Sequence, residues 1–196
     1  NSAEYNGKDF YLTSIGGDKN PNAVECTGLN NGDLDLKYFT VTASGTAKNA
    51  GEKMTVTATA KADSPYSGTS KDVTFVVKKK PYTDSDLVVK VKEGQSFQYT
   101  GKLIDVSGAT LTESKDLSGA DLSSAITSAK TVDGTVGAKK HVTVKLDSSK
   151  LTNFSNVPSS ITTNTEDAAE TVTITKRDLK NNVTPSLRYG KVQLGT

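Results

Sequence analysis

Met54-Thr55-Val56-Thr57-Ala58-Thr59-Ala60 alternates apolar and hydroxyl side chains without a break, and no other feature restricts the fold of this chain as much. In an extended strand the side chains at i and i+2 share a face, so Met and Val turn inward while Thr meets water. The branched Thr Cβ fits the pleat and its hydroxyl stays solvated. The same period returns in Val73-Thr74-Phe75-Val76-Val77, Val142-Thr143-Val144-Lys145-Leu146 and Val172-Thr173-Ile174-Thr175. Strands of this kind belong to antiparallel sheets with one wet face, so the chain is expected to be all-β. Turn chemistry separates them at Gly16-Gly17-Asp18, Asn30-Asn31-Gly32-Asp33, Asn49-Ala50-Gly51, Ser67-Gly68, Asp133-Gly134 and Asn181-Asn182. One segment departs from the pattern. Leu122, Ala125, Ile126 and Ala129 follow Asp121 at helical spacing, which predicts a short helix over 122–129, capped by Asp121 and docked on a sheet.

A length of 196 residues suits one large domain or two of about 100 residues. Apolar residues make up 34%, enough for cores but thin ones. The net charge of +2 gives no strong field for nucleic acid or anionic lipid. A single Cys excludes an intrachain disulfide and a Cys-based zinc site, and a single His excludes a His-pair metal centre. No unbroken aliphatic-aromatic run exceeds three residues, as in Phe75-Val76-Val77, so no stretch of sequence reads as a membrane-spanning helix. Without a leader-like apolar stretch, the expectation is a cytosolic chain or an excised mature fragment.

The chain repeats itself. Glu4-Tyr5-Asn6-Gly7-Lys8 recurs 94 residues on as Gln98-Tyr99-Thr100-Gly101-Lys102, and Arg188-Tyr189-Gly190-Lys191 is a third echo. Gly51-Glu52-Lys53-Met54-Thr55-Val56-Thr57 resembles Gly137-Ala138-Lys139-Lys140-His141-Val142-Thr143-Val144 with one insertion. Asp72-Val73-Thr74-Phe75-Val76-Val77-Lys78 aligns with Glu170-Thr171-Val172-Thr173-Ile174-Thr175-Lys176 at a shift of 98. Three landmarks in the same order predict a duplicated module of about 90–95 residues. Pro81, which lacks a ladder donor, suits the joint between copies. The expected modules are 1–83 and 84–196, with 183–196 either completing the second or opening a further repeat. Asp84–Val91 fits the end of the first module or the start of the second. Tyr5 and Tyr99 both read as rings on an inner face with their hydroxyls at the edge.

These landmarks (Tyr-x-Gly-Lys, Asn49-Ala50-Gly51 before a Thr/Val strand, Pro65-Tyr66-Ser67-Gly68-Thr69, and Val73–Lys78 closing) resemble bacterial surface-protein repeats of the MBG/YDG and related Ig-like type. The resemblance covers most of the first copy. The second lacks the Tyr-Ser-Gly step. It implies two tandem Ig-like β-sandwich modules without catalytic residues, arranged as a stalk outside the cell. Surface domains of this general kind sometimes carry a Lys–Asn isopeptide crosslink, for which the chain has many lysines and asparagines. A β-grasp-like module, with one short helix across a sheet, is the structural alternative for the second copy.

His141 lies in an alternating strand among lysines, where an outward side chain is expected, and no Gly-x-Ser-x-Gly elbow accompanies it. Cys26 reads as a small buried hydrophobe. Carboxylates at Asp33 and Asp35, at Asp84 and Asp86, and at Glu166-Asp167 with Glu170 read as solvated turn acids; Asp33 and Asp35 are the calcium candidates, being hard oxygen ligands at alternate positions. Phe10-Tyr11 and Tyr38-Phe39 place neighbouring rings on opposite sheet faces, which makes Tyr11 and Tyr38 the ligand-binding candidates. Lys78-Lys79-Lys80 and Lys90-Val91-Lys92 suit strand edges that repel other edges.

The functional expectation is a non-catalytic stalk or adhesion segment of a bacterial cell-surface, cell-wall or secreted protein. It needs no cofactor or metal and engages a host or environmental surface protein or glycan, with no nucleic acid and no membrane insertion. It is a monomer within a longer chain. The alternatives are a carbohydrate-binding module pair of a secreted glycan-utilisation protein, and the outer domain of a self-assembling filament or S-layer subunit.

Overall fold

The computed structural model describes residues 1–13, 20–24, 36–163, 165 and 167–178. Within them the chain is mostly strand: β1 (Ser2–Glu4), β2 (Tyr11–Leu12), β3 (Ala23–Val24), β4 (Phe39–Ser44), β5 (Lys53–Ala60), β6 (Val73–Lys78), β7 (Lys80–Pro81) and β8 (Leu87–Lys90). There follow β9 (Ser96–Gln98), β10 (Thr110–Glu113), β11 (Ile126–Thr131), β12 (Gly137–Leu146), β13 (Phe154–Ser155), β14 (Ser160–Thr162) and β15 (Thr171–Thr175). Three single 3-10 turns are the helical content of the described residues. The fold is all-β.

The strands form two sheets of one design. The first runs β1-β6-β5-β4 and the second β9-β15-β12-β11. In each, a short opening strand lies parallel to the strand that comes last in the chain, Glu4 beside Lys78 and Gln98 beside Thr175. The other neighbours in each sheet are antiparallel. The opening turns agree in detail. Gly7 and Gly101 have φ of +78° and +76°. The Lys8 and Lys102 N–H groups donate to the side-chain oxygens of Asn6 and Thr100, at 3.2 and 3.4 Å. Tyr5 N–H donates to the Lys78 carbonyl at 2.8 Å, and Tyr99 N–H to that of Thr175 at 2.9 Å.

This pairing corrects the sequence alignment of the closing strands. It equates Lys78 with Thr175, a shift of 97 rather than 98. Phe75 and Val77 then match Val172 and Ile174, and all four are buried. The alignment by resemblance placed Phe75 on Thr173, on the opposite face, because one residue of slip inverts every side chain of a strand. The expected insertion is not found: Gly51 bonds to Val77 as Gly137 stands opposite Ile174, and Met54 faces Phe75 as Lys140 faces Val172, three residues on in both copies; β12 does carry a bulge between Gly137 and Lys140, where Lys139 has φ +55°.

Residues 122–129 are not a helix. Asp121 accepts a 2.8 Å hydrogen bond from the Ser123 N–H two residues on, but Leu122 and not Asp121 is the N-cap, and only the 3-10 turn Ser123–Ala125 follows. Ile126 is already extended at φ −73°, ψ 122°. A two-turn helix is marginal on its own, whereas Ile126–Thr131 gains a full antiparallel ladder against β12. The β-grasp-like alternative, which needed that helix, goes with it.

Beside the second sheet, β8 pairs antiparallel with β10 and β7 pairs parallel with β13. Leu87, Val89 and Leu111 of the β8–β10 pair share one buried cluster with Val142, Val144 and Val172 of the sheet. In the first sheet Phe10 packs against Phe75, ring centroids 5.2 Å apart, with Met54 and Ala47 wholly buried nearby. The buried cluster is continuous from Phe10 and Phe75 through Tyr5 to Phe154 and Val144.

Candidate functional site

The Tyr-x-Gly turn of the first sheet is seated on elements beside the second, namely the end of β10, the turn that follows it, and β13. Tyr5 is 2% exposed, and its ring stands edge-on to Phe154 with centroids 5.8 Å apart. Its hydroxyl donates a 2.7 Å hydrogen bond to Oε2 of Glu113, itself 2% exposed, and the Ser118 hydroxyl donates to the same oxygen. Burial, and then the Glu113 carboxylate, push the Tyr5 phenol up to about 12, so it stays a donor. Gly7 presses on the backbone of Leu117 and Ser118: a Cβ at Gly7 would lie 2.4 Å from the Leu117 carbonyl carbon. Asn153 closes the junction. Its Oδ1 accepts from the Ala50 N–H at 3.0 Å, and its carbonyl accepts from the Lys80 N–H at 2.9 Å.

Beside this junction Lys80 pairs with Asp86 at 2.7 Å, and Thr83 donates to the same carboxylate through its N–H and hydroxyl. Burial works against the Asp86 charge, but these hydrogen bonds outweigh it and hold its pKa below the ordinary value. Asp86 is therefore a buried structural acid and not the solvated turn acid expected. These contacts tie the β1 and β7 segments to β10 and β13.

Glu113, Ser118, Asn153 and Phe154 were missed in the sequence. A signal existed for Glu113: in Thr110-Leu111-Thr112-Glu113 it shares the face of Leu111, which is wholly buried. A carboxylate on the apolar face of an alternating strand requires a partner, and Tyr5 supplies it.

The second candidate is aromatic. Tyr38 lies in the 3-10 turn Leu36–Tyr38 and Phe39 opens β4. Opposite sheet faces were expected for the two rings, but the turn aims Tyr38 toward the ring that Phe39 also reaches. That ring is Tyr66, 41% exposed, stacked on Phe39 at 5.3 Å and edge-on to Tyr38 at 6.3 Å. The Lys37 ammonium sits 4.8 Å over the Tyr38 ring. Tyr66 was part of the Pro65-Tyr66-Ser67-Gly68 landmark but was not read as a ligand candidate. Tyr11, the other candidate, is half-buried in β2.

Tyr99, expected on an inner face, is 41% exposed. His141 is half-buried, with Nδ1 3.4 Å from the Thr163 hydroxyl. Asp133 does serve its turn, accepting from the Thr135 N–H and hydroxyl and from Lys140. These bonds hold its carboxyl down at about 2, the Thr135 hydroxyl contributing most. Asp167 likewise accepts from the Ala169 N–H at 3.0 Å. An open cleft of about 500 Å³ between β8 and β14 is lined by Tyr82, Val88, Ile161 and Thr162 among others. Among the described residues no three His, Cys, Asp or Glu side chains come together as a metal site. Cys26, Asp33, Asp35, Glu166 and the segment 183–196 lie outside the described residues, as do the turns at 16–18, 30–33 and 181–182. Comparison with protein-family models, curated proteins and solved structures returns no match.

Proposed function

We propose that this chain is a non-catalytic stalk or adhesion segment of a bacterial cell-surface or secreted protein. In this reading it is built of two tandem Ig-like sandwich modules, 1–83 and 84–196. It displays a distal region or attaches to a surface protein or glycan. One observation carries the reading: in both sheets the opening strand lies parallel to the closing strand. Tension along the chain pulls β1 toward its own start and β6 toward its own end. The bonds between them, such as Tyr5 N–H to Lys78 at 2.8 Å and Val76 N–H to Asn1 at 3.1 Å, are then sheared together and not opened one by one. The second sheet repeats the device with Tyr99 to Thr175 at 2.9 Å and Thr173 to Gln95 at 3.0 Å. A unit with its two ends joined this way resists extension, as a stalk must.

Single-molecule pulling from the two termini tests it. Two separate unfolding peaks are expected, each releasing roughly 250 Å of chain at ~3.4 Å per extended residue. The peak of the first unit should fall to much lower force when the attachment points are moved to Phe39 and Ala60, the paired open ends of the β4–β5 hairpin, where its bonds are loaded in sequence. Equal forces in the two geometries would remove the mechanical reading.

The Tyr38–Phe39–Tyr66 cluster favours carbohydrate binding as a second reading, since flat rings with a cation at the rim suit a sugar face. Retardation in polysaccharide gels that disappears in Tyr66→Ala supports it; unchanged mobility of the parent chain across a glycan panel rejects it.

A further inference from the structure

The two Tyr-x-Gly turns have the same backbone and opposite surroundings. Tyr5 is buried against Glu113 and Phe154, while Tyr99 is 41% exposed. A Cβ on Gly7 would collide with Leu117, whereas one on Gly101 would meet only the Tyr99 ring, at 3.7 Å. The exposed turn is not alone. Tyr99, Leu103, Val132 and Val136 are four of the six exposed large apolar side chains among the described residues. They belong to one end of the second sheet: Thr131 N–H donates to the Ile104 carbonyl at 3.0 Å, and a Cβ on Gly134 would lie 2.6 Å from the Lys102 carbonyl oxygen. The β11–β12 turn, which carries Val132 and Val136, is the counterpart of the β4–β5 turn, whose Ala50 holds Asn153. An apolar patch of this kind, at the end of a repeated unit, is the face that stacking buries.

We propose that the patch of Tyr99, Leu103, Val132 and Val136 is a docking surface for a further copy of the same unit. It would receive that copy as the Tyr5 turn receives the second unit. The incoming copy supplies a buried carboxylate in the place of Glu113 for the Tyr99 hydroxyl, and a ring in the place of Phe154 for its edge. The Tyr99 ring, now folded over its own turn, swings outward to meet them. The inference rests on the reading of the chain as a repeated unit, and it commits to one occupant.

The register of the closing strands defines the test. Because Thr175 corresponds to Lys78, a chain of residues 1–176 followed directly by 80–196 reproduces the native junction spacing; a second version, 1–178 followed by 80–196, adds two residues of slack. Acetylation of tyrosine hydroxyls by N-acetylimidazole, located by mass spectrometry, reports Tyr99, with Tyr5 as the buried reference. Tyr99 should react at least tenfold more slowly in an extended chain than in the 196-residue chain. Changing Glu113→Ala in the appended copy alone should restore much of the reactivity. Equal reactivity of Tyr99 in parent and extended chains overturns the proposal. So does failure of both extended chains to fold, since a surface made for this unit must accept it at native spacing. Protection of Tyr99 already present in the parent assigns the patch to the chain's own residues 179–196 and also overturns it. Loss of docking with both unfolding forces intact separates failure here from failure of the stalk reading.

Discussion

The Tyr5 hydroxyl and the Glu113 carboxylate, 108 positions apart in the chain, share a 2.7 Å hydrogen bond in a place where both side chains are 2% exposed. A hydrogen bond to a buried charge is worth about 1.5–3 kcal/mol, more than a neutral one. Tyr5→Phe keeps the ring against Phe154 and leaves Glu113 with Ser118 as its side-chain donor. We expect Tyr5→Phe to lower stability by about 2 kcal/mol in urea titrations. In a double-mutant cycle with Glu113→Gln the two losses should add to less than their sum. Additive losses would mean that the two groups do not act as a pair.

Alkaline pH should act on the same residue. Tyr5 and Tyr82 are both pushed up to about 12, chiefly by burial, and then by Glu113 and by Asp84 respectively. The unfolded chain deprotonates its tyrosines near pH 10. A folded value above the unfolded one gives stability that is complete below pH 10 and lost as pH rises through 12. Stability measured by circular dichroism should therefore fall between pH 10 and 12. Tyr5→Phe, lower to begin with, should show a shallower fall; an identical slope would detach Tyr5 from the alkaline transition.

Asp86 should be costly to remove. Its carboxylate is 5% exposed and takes hydrogen bonds from Lys80 and Thr83. Asp86→Ala strips a half-buried lysine of its partner and leaves Thr83 N–H without its acceptor. The expected loss is about 2–3 kcal/mol, below the full value for a buried pair because Lys80 still reaches water. Lys80→Met should cost less than Asp86→Ala, since Thr83 continues to satisfy the carboxylate. Thermal melts of the two variants check the order.

How much of this was written in the sequence depends on range. The alternation in Met54–Ala60 and Val172–Thr175 announced strands and faces directly, because a strand's burial follows its own period. The Tyr-x-Gly-Lys echo announced the duplicated opening strand. The helix at 122–129 was misread since its spacing is local, while the β12 residues that pair with Ile126–Ala129 and override it are 15–20 residues distant. The surroundings of Tyr5 and Tyr99 were illegible for a deeper reason: identical motifs differ in what the rest of the chain brings to them. Tyr38 was found, but Tyr66 comes to it from another loop, and no local pattern connects the two.

The corrected register yields its own prediction. With a shift of 97, Val172 is 2% exposed and faces the core, and Thr173 lies on the opposite, half-buried face. Val172→Ala should cost about 2 kcal/mol and Thr173→Ala about 0.5 kcal/mol. A reversed order would restore the shift of 98.

Gly7 and Gly101 make a matched pair in which strain and docking separate. Both hold φ in the left-handed region, +78° and +76°, so Gly→Ala at either site carries the same backbone penalty of about 1 kcal/mol. At Gly101 the new methyl would meet only the Tyr99 ring, an ordinary contact at 3.7 Å. At Gly7 it would stand 2.4 Å from the Leu117 carbonyl carbon and 2.7 Å from both the Leu117 oxygen and the Ser118 nitrogen, so the 114–119 turn must move. That turn carries Ser118 and adjoins Glu113, and its displacement draws both away from the Tyr5 hydroxyl. Gly7→Ala should therefore lose the backbone penalty plus the Tyr5 bond, about 3 kcal/mol in all. Hydrogen exchange should quicken at residues 114–119 in Gly7→Ala and stay unchanged there in Gly101→Ala. The difference between the two variants then measures the junction alone, because everything intrinsic to the turn is common to both. If they lose equal stability and leave residues 114–119 equally protected, the first sheet's turn does not bear on the 114–119 turn, and the seat assigned to Tyr5 is wrong.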